Sequence, residues 1–185
     1  MMTLLTSVGL GLGAGVNTYA TLLVFGLLAR LKPGTFSGDM AHFFSSTPVL
    51  IVVGVLYTIE FVADKFPAVD HVWDVVHTFI RPAAGALVGW AAASHNLPQS
   101  WVILASVIAG GAALTTHAAK SSLRVASTAT TAGVANPILS IVEDLFAFVN
   151  AIVAIFLPAL VAVMIVLVVI TFLILMRRYR KRESF

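Results

Sequence analysis

The chain has 185 residues, of which 59% are hydrophobic and 10% charged, with a mean hydropathy of +1.01 and a formal net charge of +3. An ordinary soluble domain is about 25% charged, so this composition excludes a water-facing globular surface. Five basic residues in the tail "RRYRKR" account for the positive excess without a nucleic-acid partner, and the absence of cysteine excludes disulfides, thiolate metal sites and a cysteine nucleophile.

Six apolar segments are predicted. The first, about Thr3 to Arg30, exceeds the roughly 20 residues of a bilayer helix. It lacks the basic start of a secretory signal peptide and reads as a membrane segment. Glycines at 9, 11, 13 and 15 predict close helix packing or a break in this helix, rather than a phosphate cradle. The second run, Pro48 to Ala63, leads to Glu60 and Asp64, which a spacing of four places on one helical face. Two carboxylates that close favour a shared proton, unless Asp64 and Lys65 merely mark the water interface.

Between Pro67 and Pro82, "AVDHVWDVVHTFIR" sets Asp70, Asp74, His77 and Arg81 on one stripe, so residues 67–81 read as amphipathic. That helix is expected either to line a cavity or interface, or to be a solvated cytoplasmic element. In the first case Asp74 could orient His77, a candidate proton shuttle; in the second, Trp73 and Tyr57 would be ordinary interface anchors. The third and fourth runs are Thr78 to Ser94 and Trp101 to Ala118. "TTHAAKSSLRVASTATT" then carries eight hydroxyls, a lysine and an arginine, with Thr116, Lys120, Arg124 and Ser127 on one helical stripe. It reads as a re-entrant or unwound cavity wall, or as a cytoplasmic loop with positive-inside residues. The fifth run, Pro137 to Leu157, contains Glu143 and Asp144, whose directions differ by about 100° on a helix. They cannot share one partner face, and Lys120 and Arg124 are the expected cations, because an unpaired carboxylate in the bilayer costs several kcal/mol. In the sixth run, Pro158 to Met176, Pro158 either starts a new helix or kinks a long one.

Period-two alternation is absent, which excludes a barrel and predicts an all-α polytopic membrane protein of about six transmembrane segments. "GAGVNTYAT" lines up with "GAALTTHAA", sharing Gly13 with Gly111, Ala14 with Ala112, Thr18 with Thr116 and Ala20 with Ala118. This suggests two inverted three-helix repeats with broken or re-entrant helices, residues 1–98 and 99–176, followed by a basic cytoplasmic tail, 177–185. Six crossings would put Lys65, Arg81, Lys120, Arg124 and the tail inside and leave Arg30 and Lys32 outside, so both termini are expected to be cytoplasmic.

No metal-protease, nucleophile-elbow, Walker or dinucleotide motif is present, so neither enzyme activity nor a cofactor is expected. The acids with His77 or His117 have no spacing specific to a metal. "GLGAGVNTYATLLVFGLLAR" and above all "EFVADKFPAVDHVWDVVHTFIRP" resemble a bacterial integral membrane family of unknown function, the domain-of-unknown-function four-one-two-six type. The resemblance implies a small multi-pass inner-membrane protein and no particular activity. The residues themselves point to a small secondary transporter or channel-like permease for an anionic solute. Glu60, Asp64, Asp74, His77, Arg81, Glu143 and Asp144 would handle protons or a coupling cation, and Thr116, Lys120, Arg124 and Ser127 the solute. The alternatives are a lipid-handling protein, such as a scramblase or headgroup binder, and a noncatalytic scaffold. The expected partners are the lipid bilayer, a small molecule or ion, and a second copy in a homodimer.

Overall fold

The structure, a computed structural model, describes residues 1–182, with the side chains at 67, 68, 70, 71, 171–173 and 175–182 outside the description. Eight helices and no strands occur among the described residues: α1 (Met2–Val16), α2 (Thr18–Leu31), α3 (Asp39–Ser45), α4 (Thr47–Ala63), α5 (Pro67–Ala93), α6 (Gln99–Thr131), α7 (Asn136–Phe156) and α8 (Pro158–Arg182). Among them α6 and α7 are each long and apolar enough to cross a membrane. A third span is added if α3 and α4, bent by 60° from each other, count as one.

The first apolar run is not one span. Asn17 adopts an extended conformation, φ −143° and ψ 108°, and splits it into helices of 15 and 14 residues. At 1.5 Å per residue each is about 22 Å long, short of the roughly 30 Å hydrocarbon core. The two helices turn back on each other. Met2 and Thr3 of α1 line one small cavity together with Thr35 and Phe36, which follow α2, and with Asn96 and Pro158. Both outer ends of the pair therefore lie at one end of the bundle, and Asn17 is the tip of a helical hairpin.

Alternate-residue glycines explain how the hairpin enters a helical bundle. A Cβ on Gly11 would lie 2.8 Å from Ala109 Cα, and one on Gly15 would lie 2.8 Å from the Ala113 carbonyl carbon, so α1 approaches the α6 backbone more closely than any side chain allows. Gly85 and Gly89 of α5 meet Ala113 and Ala109 in the same way. Gly9 faces Ala154 and Val161, which brings α7 and the start of α8 onto the opposite side of α1. Ser7 donates to the Gly89 carbonyl (3.0 Å) and Asn150 to the Gly9 carbonyl (2.7 Å), so polar groups along α1 find partners inside the bundle.

Four further sequence expectations change. Residues 67–81 and 78–94 form one continuous helix through Pro82. The hydroxyl-rich segment is neither unwound nor a loop, because α6 runs unbroken to Thr131. It stops where Ala132 (φ 51°) and Gly133 (φ 83°) take left-handed conformations, a helix ending for which glycine is suited. Asn136 then ties the start of α7 back to Thr128 at 2.9 Å. Pro158 begins a new helix after Leu157 leaves helical geometry. The two segments aligned as repeats also differ locally: the chain breaks at Asn17 but stays helical at Thr115, its counterpart.

Candidate functional site

The break at Asn17 leaves the last carbonyls of α1 without amide partners inside the bundle, at the negative end of the helix dipole. Two buried cations fill that place. Arg81 Nη1 donates to the carbonyls of Gly15 (2.8 Å) and Val16 (2.9 Å), and Lys120 Nζ donates to Val16 (3.0 Å). Asn17 itself serves three elements. Its amide closes α1 on Gly13 (2.9 Å), its Oδ1 caps α2 by accepting from Ala20 (2.8 Å), and its Nδ2 donates to Asp144 Oδ1 of α7 (2.7 Å).

Two ionic clusters flank this tip. In the first, Arg81 Nη2 pairs with Glu60 Oε1 at 2.7 Å, and both side chains are fully buried. Asp74 lies 3.9 Å from Arg81, and His77 Nε2 lies 3.9 Å from Glu60. In the second, Arg124 pairs with Asp64 at 2.8 Å and with Glu143 through both Nε (3.1 Å) and Nη2. Lys120 stands over the same two carboxylates at 3.5 and 3.4 Å. These lengths exceed the 2.7–2.9 Å usual for charge-assisted bonds, so Arg124 holds the carboxylates and Lys120 is the looser cation.

Asp144 differs from every other acid in the site. It is 5% exposed, and no cation lies within ion-pairing distance of it among the described residues. Its Oδ2 has no hydrogen-bond partner. Glu60 Oε2 and the Nε2 of His77 are likewise buried without one. Counted together, Glu60, Asp64, Asp74, Glu143 and Asp144 outnumber Arg81, Lys120 and Arg124.

The site thus brings together most of the residues singled out from sequence, with several partners exchanged. Glu60 and Asp64 do not form a carboxylate pair, because α4 ends at Ala63 and Asp64, just beyond it, turns to α6 while Glu60 faces α5. The stripe of Asp74, His77 and Arg81 faces inward and is buried. Asp70 lies outside the described side chains. Asp74 does not orient His77: His77 Nδ1 meets the Trp73 carbonyl at 2.9 Å, and Asp74 accepts from Ser121 at 3.1 Å. Trp73 and Tyr57 pack inward too, on His77 and Phe148 respectively. Glu143 finds the expected Lys120 and Arg124, whereas Asp144 is met by an amide. Thr116 donates to the Leu12 carbonyl of α1 (3.0 Å) and lines a groove beside Lys120, and the buried Ser127 hydroxyl has no partner among the described residues. Since Arg81, Lys120 and Arg124 are buried, they cannot report topology. Lys65, half-buried against Ser140 (3.0 Å) and the Phe61 ring, and the two cations Arg30 and Lys32 at the other end remain as markers.

Sequence reasoning missed Asn17. The signal for Asn17 was present: a lone cap-forming side chain follows four glycines at alternate positions in an apolar run.

Between α6 and α7 a groove of about 340 Å³ reaches this site, lined by Val16, Lys120, Leu123, Val142, Glu143 and Phe146. The fold and the site define a class: an apolar, all-helical chain with helices able to cross a membrane and an ionic network buried among them. Residues 4–178 match the family described as Domain of unknown function (DUF4126), and the chain belongs to that family. No curated protein and no solved structure matches it.

Proposed function

We propose that this protein is a small proton-coupled permease for an anionic solute in the bacterial inner membrane, working at the tip of the α1–α2 hairpin. The observation that carries the reading is the Asn17–Asp144 bond. It links an acid without a cationic partner to the residue at which a membrane-inserted helix is broken. A buried, unpaired carboxylate is costly in its ionised form, so Asp144 is the proton carrier. Its protonation removes an acceptor charge from Asn17 and so acts directly on the hairpin tip. Broken helices whose ends meet charged groups near the middle of the bundle are a recurrent plan of secondary transporters.

Lys120 is the solute cation, because its carboxylate contacts are long and it lines the groove. Glu143 competes with the solute for it, and Arg124 restrains Glu143. The roles expected for Thr116 and Ser127 pass to Lys120. Glu60, His77 and Arg81 hold the tip in place.

The hairpin changes the topology we propose. Helices α3–α4, α5, α6, α7 and α8 make five crossings, with the hairpin entering and leaving from the side opposite the basic tail. Lys65 and "RRYRKR" then mark the cytoplasmic side, and the N-terminus lies on the other side, in place of two cytoplasmic termini. Single cysteines introduced at Thr3 and Ser184 of this cysteine-free chain should be labelled from opposite faces of oriented vesicles; labelling from one face contradicts the arrangement.

Transport is tested by reconstituting the protein in liposomes with an imposed pH gradient and measuring uptake of a panel of radiolabelled anions, including inorganic phosphate, acetate and succinate. Uptake of at least one by wild type and none by Asp144→Asn is expected. Equal uptake in the two proteins removes the assigned role.

A further inference from the structure

We infer that the groove between α6 and α7 takes an anionic lipid, so that the solute of the proposed permease is a membrane-dissolved anion arriving sideways from the bilayer. This rests on the permease reading and specifies its substrate class.

The groove lies between the two helices that, among the described residues, each pass as membrane-crossing on their own. Its wall residues Val142 and Phe146 sit about 9 and 15 Å along α7 from Asn136, at 1.5 Å per residue, so the mouth opens along the length of the helix and not at its end. Leu123, Val142 and Phe146 are 52%, 58% and 42% exposed and face outward. A hydrocarbon chain has no desolvation cost between such walls.

The floor has the opposite character. Lys120 and Glu143 line it, and Lys120 donates to the Val16 carbonyl at 3.0 Å while its contacts with the carboxylates are long, 3.4 and 3.5 Å, because Arg124 already engages both. A compact ammonium loosely held by its carboxylates at the base of an apolar slot can exchange one of them for a single anionic headgroup with its chain lying outward. The volume, about 340 Å³, falls within the roughly 300–1,000 Å³ of small-molecule pockets. It suits a headgroup and the first part of one chain better than a whole two-chain lipid.

The test uses the full-length protein in phosphatidylcholine vesicles and compares the association of spin-labelled phosphatidylglycerol with that of spin-labelled phosphatidylcholine. Wild type should prefer the anionic label several-fold. Val142→Trp, which fills the groove from its wall, and Lys120→Gln should each lose most of that preference, and Lys120→Arg should keep it. Val142→Trp leaves the ionic clusters untouched and serves if Lys120→Gln does not fold. A preference that is unchanged in Val142→Trp belongs to the basic tail and overturns the inference, as does no preference in wild type. Uptake of the water-soluble anion panel in the same Val142→Trp vesicles separates the two claims. If that variant takes up soluble anions as well as wild type does, lipid access fails while the permease stands. If wild type moves none of them and still prefers the anionic label through the groove, the soluble-anion reading fails and the lipid site stands.

Discussion

The two ionic clusters at the hairpin tip use the same residue types and differ in what they are sealed against. Glu60 and Arg81 are fully buried, and Arg81 Nη1 donates to two carbonyls at the broken end of α1. The Asp64, Lys120, Arg124 and Glu143 cluster reaches the wall of a groove, with Glu143 9% exposed and Lys120 held at longer range. A fully buried ion pair has no surface through which to exchange a partner, even though Glu60 Oε2 and Arg81 Nε are left without hydrogen bonds among the described residues. An ion pair at a groove, with one cation more loosely held than the other, can exchange a partner. The first cluster therefore reads as the clamp that holds the hairpin, and the second, with Asp144 beside it, as the part that works.

The largest expected effect tests the clamp. Arg81→Met leaves Glu60 as an uncompensated buried charge and frees the Gly15 carbonyl, while Val16 keeps Lys120, a loss of about 3–5 kcal/mol by analogy with other broken buried pairs. Thermal unfolding in detergent should show a large fall in midpoint or failure to fold. Glu60→Met/Arg81→Met together should recover much of that loss, because neither partner is then left charged alone. A double variant as damaged as the single one would show that the α1 carbonyls, rather than the ion pair, dominate.

Asn17→Ala comes next. It removes a helix cap, about 1 kcal/mol, and the hydrogen bond that a buried carboxylate accepts from Asn17, about 1–3 kcal/mol more. Gly11→Val should cost about 1–3 kcal/mol through overpacking against the Ala109 backbone, as measured by the same melting experiment. Gly111→Ala, on α6, meets nothing within 4 Å and should leave the melting point unchanged or slightly raised. If Gly11 and Gly111 respond alike, the close approach of α1 and α6 is wrong. Glu143→Gln belongs at the small end for stability, since Asp64 still faces Arg124, and at the large end for uptake.

Residue chemistry made the helical class, the apolar segments and nearly all members of the buried site legible before any geometry. Spacing placed Asp74, His77 and Arg81 on one face and set Glu143 and Asp144 on different ones, as found. What spacing could not give was pairing between helices distant in sequence. Glu60 and Asp64 share a face only while the helix lasts, and it ends between them. The 28-residue apolar run from Thr3 to Arg30 also hid the hairpin, because hydropathy measures length and is indifferent to direction. One asparagine reverses that direction. The Thr115–Thr131 segment misled in the other sense: its hydroxyls suggested an irregular backbone, yet several donate to carbonyls of the preceding turn, as Thr115, Ser122 and Thr130 do.

The central claim is that the clamp carries stability and Asp144 carries protons. The most direct measurement is proton flux, followed with an entrapped pH-sensitive dye, into vesicles containing Asp144→Asn whose melting point is determined in parallel. The account predicts a near-wild-type melting point, because the asparagine oxygen still accepts from Asn17, together with loss of substrate-driven proton movement. A variant that melts normally and moves protons at the wild-type rate would contradict it.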